Sequence, residues 1–353
     1  MTRAALLRRR LQNHSLTASA CRTPLDVVRT MGAVQAQDYA AAKWAIALRG
    51  PGLKESDIDA ALDAGTIIRT HVLRPTWHFV DPADLRWMLA LTAPRIRAST
   101  ATSHRRLGIE PSALPRSRRV IERAFAGRRD LTRAELVGAL RRARLPVDGL
   151  QPIFLMLDAE VEGLVCSGPR RGKQFTYALL DERVPNGRVV ERHDALGRLA
   201  RIYLTSHGPA TLRDFAWWSG LTTRDARTAI AAIAPSLAHQ VVDGLTCWFV
   251  DGGAPPISRS PTVHLLPNFD EYLVAYQDRG PITDGMPSRL QLSRGGVLSA
   301  RLLINGIVAG TWKRTIGRRG VDVEIAAPAR IGDRVRRAIR TAAEAYREFA
   351  RTS

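Results

Sequence analysis

Cysteine is scarce in this sequence, and its three copies stand far apart. Cys21, Cys166 and Cys247 have no neighbour at a spacing that suits metal ligation, and an odd number argues against a framework of disulfide bonds. We therefore expect a metal-free, cytoplasmic protein.

Long apolar runs and nucleotide-binding glycine motifs are missing as well. Arginines interrupt residues 1–11, so neither a signal peptide nor a transmembrane helix is predicted there. Gly295 and Gly296 form a lone pair of turn residues, and no P-loop, dinucleotide fingerprint or zinc spacing occurs. The sequence thus predicts no cofactor and no segment that inserts into a membrane.

Lysine is the rarest charged residue, although the chain is strongly basic. Its 353 residues include 53 Lys and Arg against 33 Asp and Glu, a formal net charge of +20. The lysines are Lys43, Lys54, Lys173 and Lys313, which leaves 49 arginines. GC-rich codon usage explains the preference for arginine but not the excess of base over acid. A polyanion, either nucleic acid or an anionic membrane surface, is the expected partner, and we favour nucleic acid.

A unit of three helices and a hairpin is clearest in the middle of the chain. Residues 116–125 predict the first helix, and Thr132 to Glu135 form a capping box that opens the second. A third helix is expected over 151–162, and the turn at 168–172 separates two strands. This order is typical of the winged helix, a variant of the helix-turn-helix.

The same pattern recurs on both sides of this unit. Helices are predicted over 195–205, from Thr211, and over 223–233, and Asp243-Gly244 is a strong hairpin turn between strands at 239–242 and 245–250. The N-terminal part fits more loosely, with helices near 4–12, 24–34 and 56–64 and extended stretches at 66–72 and 76–80.

The composition changes beyond Gly252. Residues 254–261 are typical of a linker, strands are predicted over 297–304, 307–316 and 321–325, and a basic helix over 331–350. We therefore predict an α+β, mainly α fold with three tandem winged-helix units at 1–100, 101–190 and 191–253. A small β-meander or partial barrel with a C-terminal helix would occupy 254–353.

Two glutamines, Gln35 and Gln37, follow the second predicted helix and flank one small apolar residue. Each amide offers two donors and a carbonyl acceptor, so the pair can hold a water or a sugar but cannot act as a general base. Two solvated amides at a helix end would give the same pattern.

Residues 31–39 (MGAVQAQDY) and 42–45 (AKWA) resemble the start of the AlkZ/YcaQ-type DNA glycosylases, whose Gln-apolar-Gln or Gln-apolar-Asp motif is their catalytic signature. Residues 74–78 (RPTWH) and 266–272 (LPNFDEY) are similar too, so the likeness covers most of the chain. It implies tandem winged helices, a small β-domain and removal of damaged bases from DNA.

The resemblance also implies roles for the motif residues. Gln35 and Gln37 would position and polarise the attacking water. Because position 37 is not a carboxylate, the chain resembles the AlkZ side of the family. Asp38 lies one place after the family's alternative aspartate, and it is either a candidate for stabilising a sugar cation or an ordinary loop carboxylate.

Other candidates surround this motif. Trp77 and His78 alternate on a predicted strand, where they either pack in the core or line a lesion pocket. Asn268, Asp270 and Glu271 are expected to cap and form ion pairs around the β-domain. Paired arginines in predicted hairpin turns could reach a phosphate backbone, namely Arg170, Arg171, Arg318 and Arg319.

We predict a monofunctional DNA glycosylase that acts without a cofactor or metal, as a monomer, on duplex DNA containing N7- or N3-alkylated purines. The resemblance implies interstrand crosslinks among its substrates. The alternatives are a winged-helix transcription regulator and an architectural DNA-binding protein, because a fold alone does not fix a function.

Overall fold

A computed structural model of the chain describes residues 1–184, 186–187, 189–253, 260–283, 300–317 and 320–351. Helices and short antiparallel sheets are mixed, and helices are the larger share. Most of the predicted linker, residues 297–299 of a predicted strand, and Arg318 and Arg319 lie outside the described residues.

The first segment, residues 24–80, follows α1 (Arg3–Asn13). It contains α2 (Pro24–Met31), β1 (Val34–Gln35), α3 (Tyr39–Ala47), α4 (Glu55–Asp63), β2 (Ile68–His71) and β3 (Trp77–Val80). The strands form a sheet in the order β1-β3-β2. The sequence placed the end of α2 at residue 34, but the helix ends at Met31. Gly32 turns the chain with φ of 77°, and Val34 then pairs with Phe79 of β3.

The second segment, residues 113–183, repeats this connectivity. It begins after α5 (Pro82–Arg106) and contains α6 (Ala113–Ala124), β4 (Leu131–Thr132), α7 (Arg133–Arg142), α8 (Gln151–Val161), β5 (Val165–Ser167), β6 (Thr176–Leu179) and α9 (Leu180–Arg183). Its sheet has the order β4-β6-β5. The capping box of Thr132 and Glu135 is present as predicted. The predicted boundary at residue 100 lies inside α5.

The third segment, residues 192–249, has the same order of elements. It contains α10 (Arg192–Ser206), α11 (Leu212–Ser219), α12 (Thr223–Ile233), a 3₁₀ turn (Ala234–Ser236), β7 (Ala238–Val242) and β8 (Leu245–Phe249). Asp243 and Gly244 have φ of 49° and 78°, which is the left-handed geometry of the predicted hairpin turn. Ala210 forms an isolated bridge with Trp248, in the place that β1 and β4 occupy in the other segments.

The C-terminal segment, residues 263–351, is an antiparallel meander covered by a helix. It contains β9 (Val263–Leu266), α13 (Glu271–Val274), α14 (Gly280–Thr283), β10 (Arg301–Ile304), β11 (Ile307–Gly317), β12 (Gly320–Ala326) and α15 (Asp333–Arg351). Each strand pairs with the next one in sequence. The sequence did not predict β9, which forms one edge of the sheet.

Shared cores hold these segments together around β1. The first and C-terminal segments share a core that includes Trp44, Trp312 and Tyr346, and the Trp44 indole donates a hydrogen bond to the carbonyl of Leu265 (2.7 Å). A second core joins the first segment to α5 and the third segment, and Trp218 is fully buried within it. The strand that carries Gln35 therefore lies between three packed parts of the chain, which fixes its position.

Candidate active site

Gln35 occupies the end of β1 and is only 8% exposed. Its side-chain carbonyl accepts a hydrogen bond from Nη2 of Arg74 (3.0 Å), and its main-chain N–H donates to Oε1 of Glu271 (2.7 Å). The side-chain NH₂ has no hydrogen-bond partner among the described residues. The Gln35 amide is thus oriented to offer donors rather than an acceptor.

The side-chain amide of Gln37 is oriented like that of Gln35, but Gln37 is exposed. Its side-chain carbonyl accepts a hydrogen bond from the main-chain N–H of Trp77 (3.3 Å). In the part of the chain that the structure describes, its NH₂ group is without a hydrogen-bond partner. Both motif glutamines therefore hold their carbonyls on protein donors and leave their N–H groups for a ligand.

Asp38 is a half-buried carboxylate at the N-terminus of α3. Its Oδ1 accepts a hydrogen bond from the main-chain N–H of Ala41 (3.1 Å), and its Oδ2 accepts one from Nδ2 of Asn268 (3.2 Å). This cap satisfies one of the free N–H groups that begin a helix. Asn268 was not among the site residues chosen from the sequence, although the segment 266–272 that contains it was singled out there.

Glu271 lies beneath the motif and is completely buried. Its Oε2 accepts a hydrogen bond from the Trp218 indole (3.1 Å) and lies 3.5 Å from Nε2 of His207. Burial alone would raise the pKa of Glu271, but the imidazole of His207 and the nearby guanidinium of Arg74 lower it to about 2. An ionised carboxylate therefore connects the motif strand to α10 and α11.

Trp77 and His78, the two residues that the sequence placed either in the core or in a lesion pocket, differ in their exposure. His78 is fully buried opposite Gln35 in the sheet, and burial followed by the charge of Arg74 lowers the pKa of its imidazole to about 3. Trp77 is half-buried, with the guanidinium of Arg69 4.4 Å from its ring centroid. At neutral pH, His78 is thus a neutral group inside the protein, whereas Trp77 reaches the surface.

Trp77 belongs to an aromatic surface that the sequence did not reveal. Phe175, from the loop before β6, is 41% exposed and its ring centroid lies 4.8 Å from that of Tyr39. Arg69 also lies over Phe175 and donates two hydrogen bonds to the carbonyl of Ala36, between the two glutamines. A guanidinium that lies over aromatic rings is therefore in direct contact with the motif backbone.

Arg170 and Arg171, which lie between β5 and β6 in the second segment, form ion pairs within the protein. Arg170 forms ion pairs with Asp59 (2.9 Å) and Asp63 (3.0 Å) of α4, and Arg171 pairs with Asp130 (2.6 Å) and Glu135 (3.1 Å). Their contact with DNA stays a prediction, and it would have to replace or extend these ion pairs.

Lys43, the lysine nearest to the motif in sequence, is also engaged. Its ammonium group is buried and forms ion pairs with Glu55 and Asp59 (3.0 Å to Asp59). It also lies 4.8 Å from the ring centroid of Tyr39.

Within the described ranges, no group of three or more His, Cys, Asp or Glu side chains is arranged to hold a metal ion. The helices of the described residues all lack the combination of length and apolar character that crossing a membrane requires.

Comparison with known proteins gives one consistent result. A family model described as DNA glycosylase AlkZ-like matches residues 28–349. An interstrand DNA cross-link repair glycosylase from Streptomyces sahachiroi is 24% identical over 321 residues, which are 86% of this chain and 85% of that protein. The solved structure of the DNA glycosylase AlkZ from Streptomyces sahachiroi has the same fold, with a TM-score of 0.81, 21% identity and coverage of 99% of this chain and 97% of that one. Because the family model matches residues 28–349, which are most of the chain, this chain belongs to the AlkZ-like family and is a DNA glycosylase.

Proposed function

We propose that this enzyme is a monofunctional glycosylase that hydrolyses the N-glycosidic bond of N7- and N3-alkylated purines in duplex DNA. The observation that carries this proposal is the arrangement of two amide donors, which have no proton to give to a leaving base at neutral pH, beside one carboxylate. The name of the Streptomyces sahachiroi relative extends the proposal to interstrand crosslinks, because a crosslink through purine N7 is a bulky N7 adduct.

The leaving group explains why such a site suffices. Alkylation at N7 or N3 makes the purine cationic, so the base departs as a neutral molecule when the bonding electrons move from C1′ to its ring nitrogen. No proton has to be delivered to the base. The protein then needs to place a water and to favour positive charge on the sugar.

The water would be held by the amides and oriented by the carboxylate. An N–H of Gln35 or Gln37 donates to one lone pair of the water oxygen and leaves the other lone pair to attack C1′. The proton released from the water passes to Asp38, directly or through solvent. The same carboxylate stabilises the sugar cation electrostatically, and the hydrogen bond from Asn268 fixes its direction.

We propose further that the first three segments are winged-helix units, within the boundaries 1–100, 101–190 and 191–253 expected from the sequence. The connectivity of helix, strand, helix, helix and two strands, with the first strand beside the last, supports this assignment. The 254–353 remainder would be the small β-domain. The enzyme would act in the cytoplasm as a monomer, since one chain then supplies several DNA-binding units.

Substrate choice tests the proposal. Oligonucleotide duplexes, each carrying N7-alkylguanine, N3-alkyladenine, uracil or 8-oxoguanine, are incubated with excess enzyme and scored for abasic sites. We expect release of the two alkylated purines alone. Comparable excision of uracil would refute the mechanism, because a neutral base needs an acid that these residues do not supply.

Substitution of the motif tests the assigned residues. Gln35→Ala and Gln37→Ala should each lower single-turnover excision about 10²-fold or more, while affinity for DNA stays within a few-fold. Gln240→Ala is the control, because Gln240 is an exposed amide on β7. Normal rates in both motif variants would show that the glutamines are structural.

A further inference from the structure

Each of the first three segments contains a helix in the position that winged-helix proteins insert into a DNA groove. These helices are α4, α8 and α12. The three helices differ in their charged residues and in how much of their surface is exposed. They are therefore not equally suited to binding DNA. The inference that follows rests on the proposed winged-helix units.

The first of these helices, α4, is acidic. It contains Glu55, Asp57, Asp59 and Asp63 and no lysine or arginine. Two of its carboxylates, Asp59 and Asp63, are paired with Arg170 of the second segment. A helix with this charge is repelled by phosphates, and part of it already contacts the neighbouring segment.

The second helix, α8, is covered. None of its eleven residues, all of which the structure describes, is exposed. It packs against α5, where Leu157 and Val161 share a small core with Ile96. A groove could reach α8 only if α5 moved away, and the helix has no basic residue to offer.

The third helix, α12, has one face in the core and one in solvent. Ala226, Ala229, Ile230 and Ile233 are buried, whereas Arg224, Arg227, Thr228 and Ala231 are exposed. These exposed positions recur every three or four residues and so form one stripe along the helix.

The side chains of the two arginines on this stripe are available to bind a ligand. Among the described residues, neither the Arg224 nor the Arg227 side chain forms a hydrogen bond or an ion pair. The one acidic residue of the helix, Asp225, is paired with Arg192 (2.9 Å). Free guanidinium groups between small side chains suit the close approach of a phosphate backbone.

The turn before this helix is linked to the motif through one loop. Gly220, three residues before α12, lies against the loop between β2 and β3, and a Cβ there would come within 2.1 Å of the carbonyl oxygen of Leu73. Arg74, which follows Leu73, donates a hydrogen bond to the side-chain carbonyl of Gln35. The turn that leads into α12 is thus packed against the loop that orients a motif glutamine.

We propose that α12 is the helix through which this enzyme engages the groove of duplex DNA, with Arg224 and Arg227 bound to phosphates next to the lesion. The contact at Gly220 then sets the distance between the bound groove and the motif, so that binding by the third segment places the sugar in front of Gln35 and Gln37.

The test is the salt dependence of binding to an undamaged duplex, measured by fluorescence anisotropy. The double variant Arg224→Ala/Arg227→Ala should bind at least about tenfold more weakly, and its log–log salt slope should fall by about 2, since each lost phosphate contact removes roughly 0.9. The control is Arg116→Ala/Arg119→Ala, an exposed pair on α6 with the same spacing and charge change, and its slope should stay unchanged.

A variant with added charge covers the case in which the double variant folds poorly. Ala231→Arg places a third guanidinium on the same stripe and should increase the slope by about 1. An unchanged slope in both α12 variants, or an equal fall in the α12 and α6 doubles, overturns the proposal. Binding is measured without a lesion, so a failure to excise alkylated purines would count against the proposed function and leave this result standing.

Discussion

Replacing Glu271 with glutamine should destabilise the enzyme in a way that depends on pH. The carboxylate is fully buried and accepts hydrogen bonds from the Gln35 N–H and the Trp218 indole. Glutamine has nearly the same shape but only one acceptor oxygen, and its NH₂ would face a donor. The substitution therefore removes a buried charge and leaves one donor unsatisfied.

The pKa of Glu271 gives the magnitude. It is lowered from 4.5 to about 2 in the folded protein. A lowered folded-state pKa means that the ionised group stabilises the protein above its unfolded pKa and loses this effect as the pH falls from 4.5 toward 2. At about 1.4 kcal/mol per pKa unit, the stabilisation is about 3 kcal/mol at pH 7 and about half as large near pH 3.

Urea unfolding of both proteins at pH 7 and near pH 3 measures this difference. We expect Glu271→Gln to lower the free energy of unfolding by about 3 kcal/mol at pH 7 and by clearly less near pH 3. Glu344→Gln, an exposed substitution on α15, should change it by less than about 0.5 kcal/mol at either pH. An equal loss at both pH values would refute the reasoning, because it would show that the buried carboxyl is not ionised in the folded protein.

Three further substitutions test the contacts around the motif. Asp270→Asn should cost about 3–5 kcal/mol of unfolding free energy in urea titrations, because it leaves the fully buried Arg49 without its carboxylate partner; a cost below about 1 kcal/mol would contradict this. Gly220→Ala should be more destabilising than Gly244→Ala, since both glycines have positive φ but only the former meets a neighbouring carbonyl; equal unfolding midpoints would argue against that contact. Arg170→Ala should lower stability by about 1 kcal/mol at low salt and by less at high salt, and no change at either ionic strength would mean that its ion pairs contribute nothing.

Local signals in the sequence predicted local structure well. The turn at Asp243-Gly244 and the capping box at Thr132 each depend on residues within four positions of one another, and both are present. The helix over 223–233 also has the predicted bounds, because its buried face repeats at helical spacing.

The errors arise where distant parts of the chain decide the outcome. α3 was not predicted, because most of its residues are buried and no alternation of polar and apolar positions marks it. α2 was expected to extend to residue 34, but pairing with β3 makes Val34 and Gln35 a strand. Tertiary pairing overrides helix propensity at such positions.

The sequence offered candidate residues for the site but not the partners that hold them in place. The resemblance pointed to Gln35 and Gln37, yet the contacts that orient the motif come from far along the chain. Glu271 is 236 positions from Gln35, and Asn268 is 230 positions from Asp38. Neither hydrophobic periodicity nor a short motif predicts a contact between residues so far apart in sequence. These contacts could therefore be identified only from the structure.

The environment of Lys43 has a consequence for the product of the proposed reaction. An amine attacks the sugar aldehyde only when it can reach it, whereas the side chain of Lys43 is buried between two carboxylates and an aromatic ring. We therefore expect no covalent enzyme–DNA adduct to be trapped by borohydride. On the proposed mechanism the phosphodiester backbone would stay continuous after the base departs, and cutting it would fall to a separate strand-incising nuclease that accepts a baseless sugar.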